Sequence, residues 1–301
     1  MARILVGHFA RLPWLDLRHL LLVPLLSSLK VRTALYPRLF QFGHIAIPTY
    51  GVFAAIALVA ALALAMQTAR CLSLDANKIW NLSLIGILTA LLSSRLLLIF
   101  FHLRDFLAHP FWMLGLVNVR SSGAFYGGVL LAFCACLGYI FAARLPLRRT
   151  LDCLAPAIAL GLAISSLGTF AAGSDYGSPT DKPWGIIYKH GLATLWSGTP
   201  LGIRLHPVQL YEALILFLLL AVLLFQLPRR PHDGDIAGTF FFVYGITLYF
   251  LDFYRGSRSL VLHEAITIAQ ILAVALTVAG AVLWIRRKPA AFSTHPLEYD
   301  S

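Results

Sequence analysis

Charge is scarce in this chain. Only 12% of its 301 residues are Asp, Glu, Lys or Arg, about half the roughly 25% of a soluble domain. Acids are scarcer still, 13 against 24 basic residues. Cysteine is limited to Cys71, Cys134, Cys136 and Cys153, all in or beside apolar runs. That placement fits neither a disulfide framework nor a zinc site, so no metal is expected; as small apolar helix residues the four need no further account. No basic patch interleaves with exposed aromatics, so the net charge of +11 is no nucleic-acid footprint. The chain shows no internal repeat and no paired broken helices of the kind that mark small-solute transporters. Alternating segments of about 10 residues, the signature of a membrane β-barrel, are missing too.

What is present is apolar sequence, 59% of the chain. Runs of about 20 apolar residues predict transmembrane helices over roughly 47–69, 79–101, 123–143, 151–171, 207–226, 236–253 and 265–285. The expected fold is an all-α polytopic membrane protein of about seven helices, with an extracytoplasmic loop region between spans four and five. The lipid bilayer is its first partner.

Basic residues set the orientation. Arg70 and Lys78, then Arg144, Arg148 and Arg149, then Arg229 and Arg230, then Arg286, Arg287 and Lys288 all fall on one side. By the positive-inside rule that side is the cytoplasm. Loop 172–206 and the amino terminus then lie outside, and the carboxyl terminus inside. Residues 1–34 form a basic extension whose apolar piece, Leu20–Leu29, is interrupted by Pro24 and too short to span. It reads as a signal-like segment, an interfacial segment or sequence upstream of the true start. Residues 35–288 make the membrane domain and 289–301 a cytoplasmic tail.

The most informative stretch is Gly173–Glu212. It opens Gly-Ser-Asp-Tyr-Gly-Ser-Pro-Thr-Asp-Lys-Pro-Trp-Gly and closes His206-Pro207-Val208-Gln209-Leu210-Tyr211-Glu212. The closing motif carries ionisable groups into the start of an apolar span, where they are costly and point to function. Other polar residues share that depth. Tyr50 begins the first span and reads as an interface anchor or a catalyst. Arg95 sits inside the second and either snorkels outward or binds a lipid phosphate. Tyr126 follows Phe125 and precedes Gly127-Gly128; Ser165, Ser166 and Thr169 end span four. Tyr244 lies in span six, and Asp252 and Arg255, three residues apart, are spaced to pair as a rim salt bridge or to act in chemistry. A polar layer at one depth on several helices implies a cavity facing lipid head groups.

Together these motifs resemble one bacterial family, the phosphatidylglycerol–prolipoprotein diacylglyceryl transferases, from about Leu35 to Lys288. The pair Pro179-Thr180/Pro183-Trp184-Gly185 and His206-Pro207-Val208-Gln209-Leu210-Tyr211-Glu212 carries most of the likeness. The resemblance implies transfer of a diacylglyceryl group from phosphatidylglycerol to the lipobox cysteine of prolipoproteins in the inner membrane, with no cofactor. It implies catalytic roles for Tyr50, Tyr126 and Tyr244. Substrate binding would fall to Arg95, Ser166, Thr169, Gly177, His206, Gln209, Tyr211, Glu212, Asp252 and Arg255. The chain departs from the family's pattern in places. Tyr126 stands where the family has its histidine, Ser166 and Leu248 where it has arginines, Thr169 where it has asparagine, and Asp252 where it has glutamate. Those exchanges leave Arg95, Arg255 and Arg258 as cations for phosphate. They also admit the alternative of an inactive relative that binds phospholipid or lipobox peptide.

Overall fold

In this computed structural model the described residues are 38–42, 45–108, 122–230, 232–256, 260–262, 266–286 and 288–289. The extension 1–34, Arg258, Arg287 and most of the tail lie outside them. The chain runs β1 (Arg38–Phe42), β2 (Ile45–Pro48), α1 (Thr49–Cys71), α2 (Ala76–Phe101), the short α3 (Leu103–Ala108), α4 (Ser122–Ala142) and α5 (Leu147–Ala172). It continues with β3 (Ile186–Ile187), α6 (Gly191–Ser197), β4 (Arg204–Leu205), α7 (Val208–Gln226) and β5 (His232–Asp233). Last come α8 (Asp235–Asp252), β6 (Leu260–Leu262), β7 (Ile266–Thr267), α9 (Ile268–Ile285) and β8 (Lys288–Pro289). Seven helices among the described residues are long and apolar enough to cross a membrane. The chain is a polytopic helical membrane protein.

Boundaries shift from the expected ones where polar residues begin a helix. The first span starts at Thr49, because residues 45–48 pair with β1 as a strand and Pro48 opens the helix. α5 starts at Leu147, four residues before the apolar run, with Arg148 and Arg149 in its first turn. α2 is capped by Asp75, whose carboxylate accepts from the amide of Asn77 at 2.9 Å, satisfying a donor the helix itself leaves open.

The helices pack as three close pairs, α1 with α5, α2 with α4 and α8 with α9, while α7 lies against α5 and α8. Small residues allow the approach. A Cβ on Gly128 of α4 would stand 3.0 Å from the backbone of Ser94 on α2, and one on Gly245 of α8 would stand 2.7 Å from the Ala273 carbonyl of α9. One buried cluster joins Ala155, Ala159 and Ala163 of α5 to Leu216, Leu219 and Leu223 of α7 and to Ile236, Phe240 and Tyr244 of α8. A second joins Ala65 and Ala69 of α1, Ile79 and Leu82 of α2, Ile140 of α4 and Cys153 of α5. Both clusters hold α5 at the centre, so the start of α7 and the end of α8 meet above a rigid base.

Candidate functional site

The loop after α5 builds the site from main-chain bonds. α5 stops at Gly173, left-handed at φ 74°, where the missing Cβ makes that conformation inexpensive. Asp175, at φ 52°, also turns left-handed, a conformation short Asp side chains tolerate. The strand-like run that follows is laced on both edges. Ser178 N donates to the Tyr254 carbonyl at 2.7 Å, Gly256 N to the Tyr176 carbonyl at 2.9 Å, and His206 N to the Ser178 carbonyl at 3.0 Å. Gly177 bridges Arg255 directly. A Cβ at Gly177 would collide with the His206 carbonyl, so only glycine fits this three-way crossing.

That lacing delivers Arg255 to Glu212. The guanidinium Nη2 lies 3.2 Å from Glu212 Oε2, both side chains largely shielded from solvent, at 26% and 12% exposure. The Tyr244 hydroxyl donates to Glu212 Oε1 at 3.0 Å. One carboxylate therefore fixes a phenol from α8 and a cation from the segment after it. Tyr126 of α4 lies within electrostatic range of Arg255, Asp252 and Asp175, and of Tyr244. A guanidinium carries five N–H donors, so a cation held along one edge by a carboxylate can still present others to a phosphate.

The partner expected for Arg255 from spacing alone was Asp252; the carboxylate it meets instead is Glu212, 43 positions away. Asp252 is buried and its Oδ2 accepts from the Thr267 hydroxyl at 2.8 Å. Thr267 in turn accepts from the Gln270 amide at 3.1 Å and its own amide donates to Gln270 Oε1 at 3.2 Å, a reciprocal cap that opens α9. Local helix geometry draws Asp252 toward α9 and leaves Arg255, past the helix end, free to turn toward α7.

The remaining motif residues divide into two groups. Gln209 is buried, and its Nε2 donates to the Ser174 carbonyl at 2.6 Å and to the Tyr188 hydroxyl at 3.3 Å. It ties α7 to the loop from inside. Burial pushes the Tyr188 hydroxyl up to about 12, an effect the Gln209 amide partly offsets. Tyr211 faces outward, its hydroxyl accepting from Trp184 Nε1 at 2.8 Å and lying 3.4 Å from His206 Nδ1. His206 also meets the Tyr254 ring edge-on at 5.2 Å between centroids.

Ser166 is buried in α5, and the Thr169 hydroxyl folds back onto the Ser166 carbonyl at 2.9 Å. Tyr50 is 44% exposed, its ring beside Gly168. Arg95 is partly buried on α2, next to Ser94, against which Gly128 of α4 packs. Sequence reasoning missed Asp175, Tyr188, Trp184 and Thr267 as site components. Trp184 had a signal, its place in the Pro-Trp-Gly motif; Thr267 had one in its capping spacing to Gln270.

A family profile described as prolipoprotein diacylglyceryl transferase matches residues 37–286. The chain belongs to this family. Named phosphatidylglycerol–prolipoprotein diacylglyceryl transferases align over most of its length. The Stenotrophomonas maltophilia protein is 30% identical over 276 residues, covering 84% of this chain and 92% of the relative. That of Geobacter sulfurreducens is 30% identical over 262 residues, 84% and 96% respectively, and that of Finegoldia magna 28% identical over 252 residues, 83% and 94%. As a diacylglyceryl transferase family member with seven apolar helices, the chain is a multi-pass bacterial membrane protein.

Proposed function

We propose that this chain transfers the diacylglyceryl group of phosphatidylglycerol to the lipobox cysteine of prolipoproteins, in the inner membrane, at the outer end of α7 and α8. The amino terminus lies outside and the carboxyl terminus in the cytoplasm, as the basic residues after α4, α7 and α9 favour. Residues 1–34 are an extension to the 35–288 membrane domain, and 289–301 its tail. The carrying observation is the Tyr244–Glu212–Arg255 arrangement, backed by the Gly177 bridge, in a chain whose family match spans 37–286.

In the reaction the cysteine thiol gives up its proton and the thiolate sulfur attacks the diacylglyceryl carbon. A C–S bond forms, the C–O bond to phosphate breaks, and glycerol phosphate leaves with the electron pair and takes up the proton the thiol gave up. Arg255, oriented by Glu212, accepts the departing phosphate. Tyr126 supplies a neutral donor beside it, Tyr244 gives its hydrogen bond to Glu212 and holds that carboxylate in place, and Arg95 holds the lipid from α2. Tyr50, Ser166 and Thr169 line the approach, with Gln209 and Gly177 keeping the loop in register. His206, Tyr211 and Trp184 form the aromatic rim that the acceptor peptide meets. Asp252 positions the end of α8 through Thr267.

Each donor aimed at developing charge is worth about 3–4 kcal/mol, roughly 100- to 1000-fold in rate. Serine at 166 and leucine at 248 forgo that much, so turnover is slow. Restoring charge with Tyr126→His, Ser166→Arg and Leu248→Arg together raises the rate of thioether formation. A folded triple variant no faster than the parent would refute this account of the missing groups. The activity itself is tested by complementing a bacterium depleted of its own diacylglyceryl transferase and reading lipoprotein mobility on a gel. Rescue with thioether-modified product supports the assignment. Failure by an inserted, folded protein would sink it and leave a lipid- or peptide-binding relative.

A further inference from the structure

A short helix outside the spans carries apolar surface that the fold leaves open. Leu195 of α6 is 76% exposed, although a helix of seven residues is far too short to cross a membrane. Leu192, Leu195 and Trp196 follow the i, i+3, i+4 spacing that gathers three side chains on one face. Ala193, nearly opposite Leu195, is buried, its Cβ 3.0 Å from the place a Gly173 Cβ would take.

Two side-chain bonds strap α6 to the end of a span. The Thr199 hydroxyl donates to the Gly173 carbonyl, and the Thr194 hydroxyl to the Thr199 carbonyl at 2.7 Å. Gly173 is the residue at which α5 stops. The apolar face of α6 therefore stands where a membrane-crossing helix ends and lipid head groups begin. Amphipathic helices lie at that depth, and tryptophan is enriched there.

Charge around the helix is of one sign. From Asp181 to His206 the segment carries Lys182, Lys189 and Arg204, all exposed, against Asp181 alone. Lys189 directly precedes the cap of α6, His190. The Lys182 turn packs over Arg204: Gly185 N donates to the Lys182 carbonyl at 3.0 Å, and a Gly185 Cβ would stand 3.2 Å from the Arg204 Cβ. An uncharged apolar partner would cover the leucines and leave these cations without counter-charge. A leaflet holding anionic phospholipid meets both.

We propose that α6 lies in the head-group layer of the bilayer, with its Leu192–Leu195–Trp196 face among the upper acyl chains. Lys182, Lys189 and Arg204 gather anionic phospholipid around it. The contact does not depend on diacylglyceryl transfer.

The test places the full chain in nanodiscs of phosphatidylglycerol and phosphatidylcholine in equal amounts, with bromine near the top of the acyl chains of one lipid at a time. Bromine quenches indole fluorescence on contact, and the difference between the parent and Trp196→Phe isolates Trp196. That signal is quenched in both nanodiscs, by brominated phosphatidylglycerol about fivefold more, the effect of one cation held near a charged surface. Lys182→Gln, Lys189→Gln and Arg204→Gln together bring the two lipids level, and Leu195→Glu relieves the quenching. A Trp196 signal that bromine on neither lipid reaches overturns the proposal and gives the face to a peptide or a second copy. Equal quenching by the two lipids in the parent also overturns it, leaving an apolar contact without selection by charge. Trp80, 43% exposed on α2, stays quenched in every variant and reports an inserted bundle, so misfolding is not mistaken for either result.

Discussion

Each end of this bundle holds a shielded carboxylate beside an arginine, and the two are put to opposite use. Asp152 of α5 is fully buried. Its Oδ2 accepts from Gly234 N at 2.7 Å and from Arg230 Nη1 at 3.1 Å, and its Oδ1 from Ala237 N at 2.9 Å. Those amides begin α8, so the carboxylate meets the positive end of that helix and is consumed by structure. Glu212, at the far end, takes its bonds from two side chains, the Tyr244 hydroxyl and Arg255. Arg255 keeps 26% of its surface open. A carboxylate saturated by backbone is an anchor; one that arranges side chains around an opening is equipped for chemistry.

The contrast is sharpest in what removal does. Asp152→Ala leaves two helix-end amides without their acceptor and Arg230 with Asp233 alone, a loss of about 3–5 kcal/mol for a broken buried pair. Thermal unfolding in detergent should fall steeply, with any residual folded protein still active. Loss of transfer with unchanged unfolding would break the comparison. Arg255→Gln should do the reverse. Transfer falls by roughly 100- to 1000-fold, about 3–4 kcal/mol of transition-state stabilisation, while the unfolding midpoint moves little.

Smaller changes separate the positioning groups from the reacting ones. Thr267→Val removes the cap of α9 and the donor to Asp252, costing about 1–2 kcal/mol; Thr267→Ser should recover most of it. If serine fails to rescue, the hydroxyl is not what matters. The smallest effect concerns Tyr188. Its pKa of about 12 lies above the roughly 10 of an unfolded tyrosine. The neutral phenol's contribution is therefore whole below pH 10 and lost as pH rises from 10 through 12. Over that window the parent should lose more thermal stability than Tyr188→Phe.

Much of this was legible in the sequence, for identifiable reasons. Spans announce themselves because lipid demands continuous apolar surface, and the His206–Glu212 motif drew attention to the start of α7, where Glu212 meets Tyr244 and Arg255. What escaped was pairing across the chain. Asp252 and Arg255 advertise a local i,i+3 bridge, yet α8 ends between them and the backbone beyond turns Arg255 toward α7. Gln209 reads as a ligand-binding polar residue, and its Nε2 also ties α7 to Ser174 and Tyr188, a contact across 35 and 21 positions that spacing does not announce. The start of α5 was hidden because Arg148 and Arg149 depress the hydropathy of a turn that is helical all the same.

The crossing at Gly177 has a consequence for how such a protein changes over generations. Tyr176, Ser178, His206, Tyr254 and Gly256 are joined there through main-chain groups, which every residue but proline carries. Side chains around the knot can then be exchanged without unravelling it. An exchange at Tyr126 or Ser166 leaves that knot intact, and the scaffold still hands Arg255 to Glu212. Heredity of shape is thereby uncoupled from heredity of chemistry, and a lineage can retune its rate while its architecture stands still.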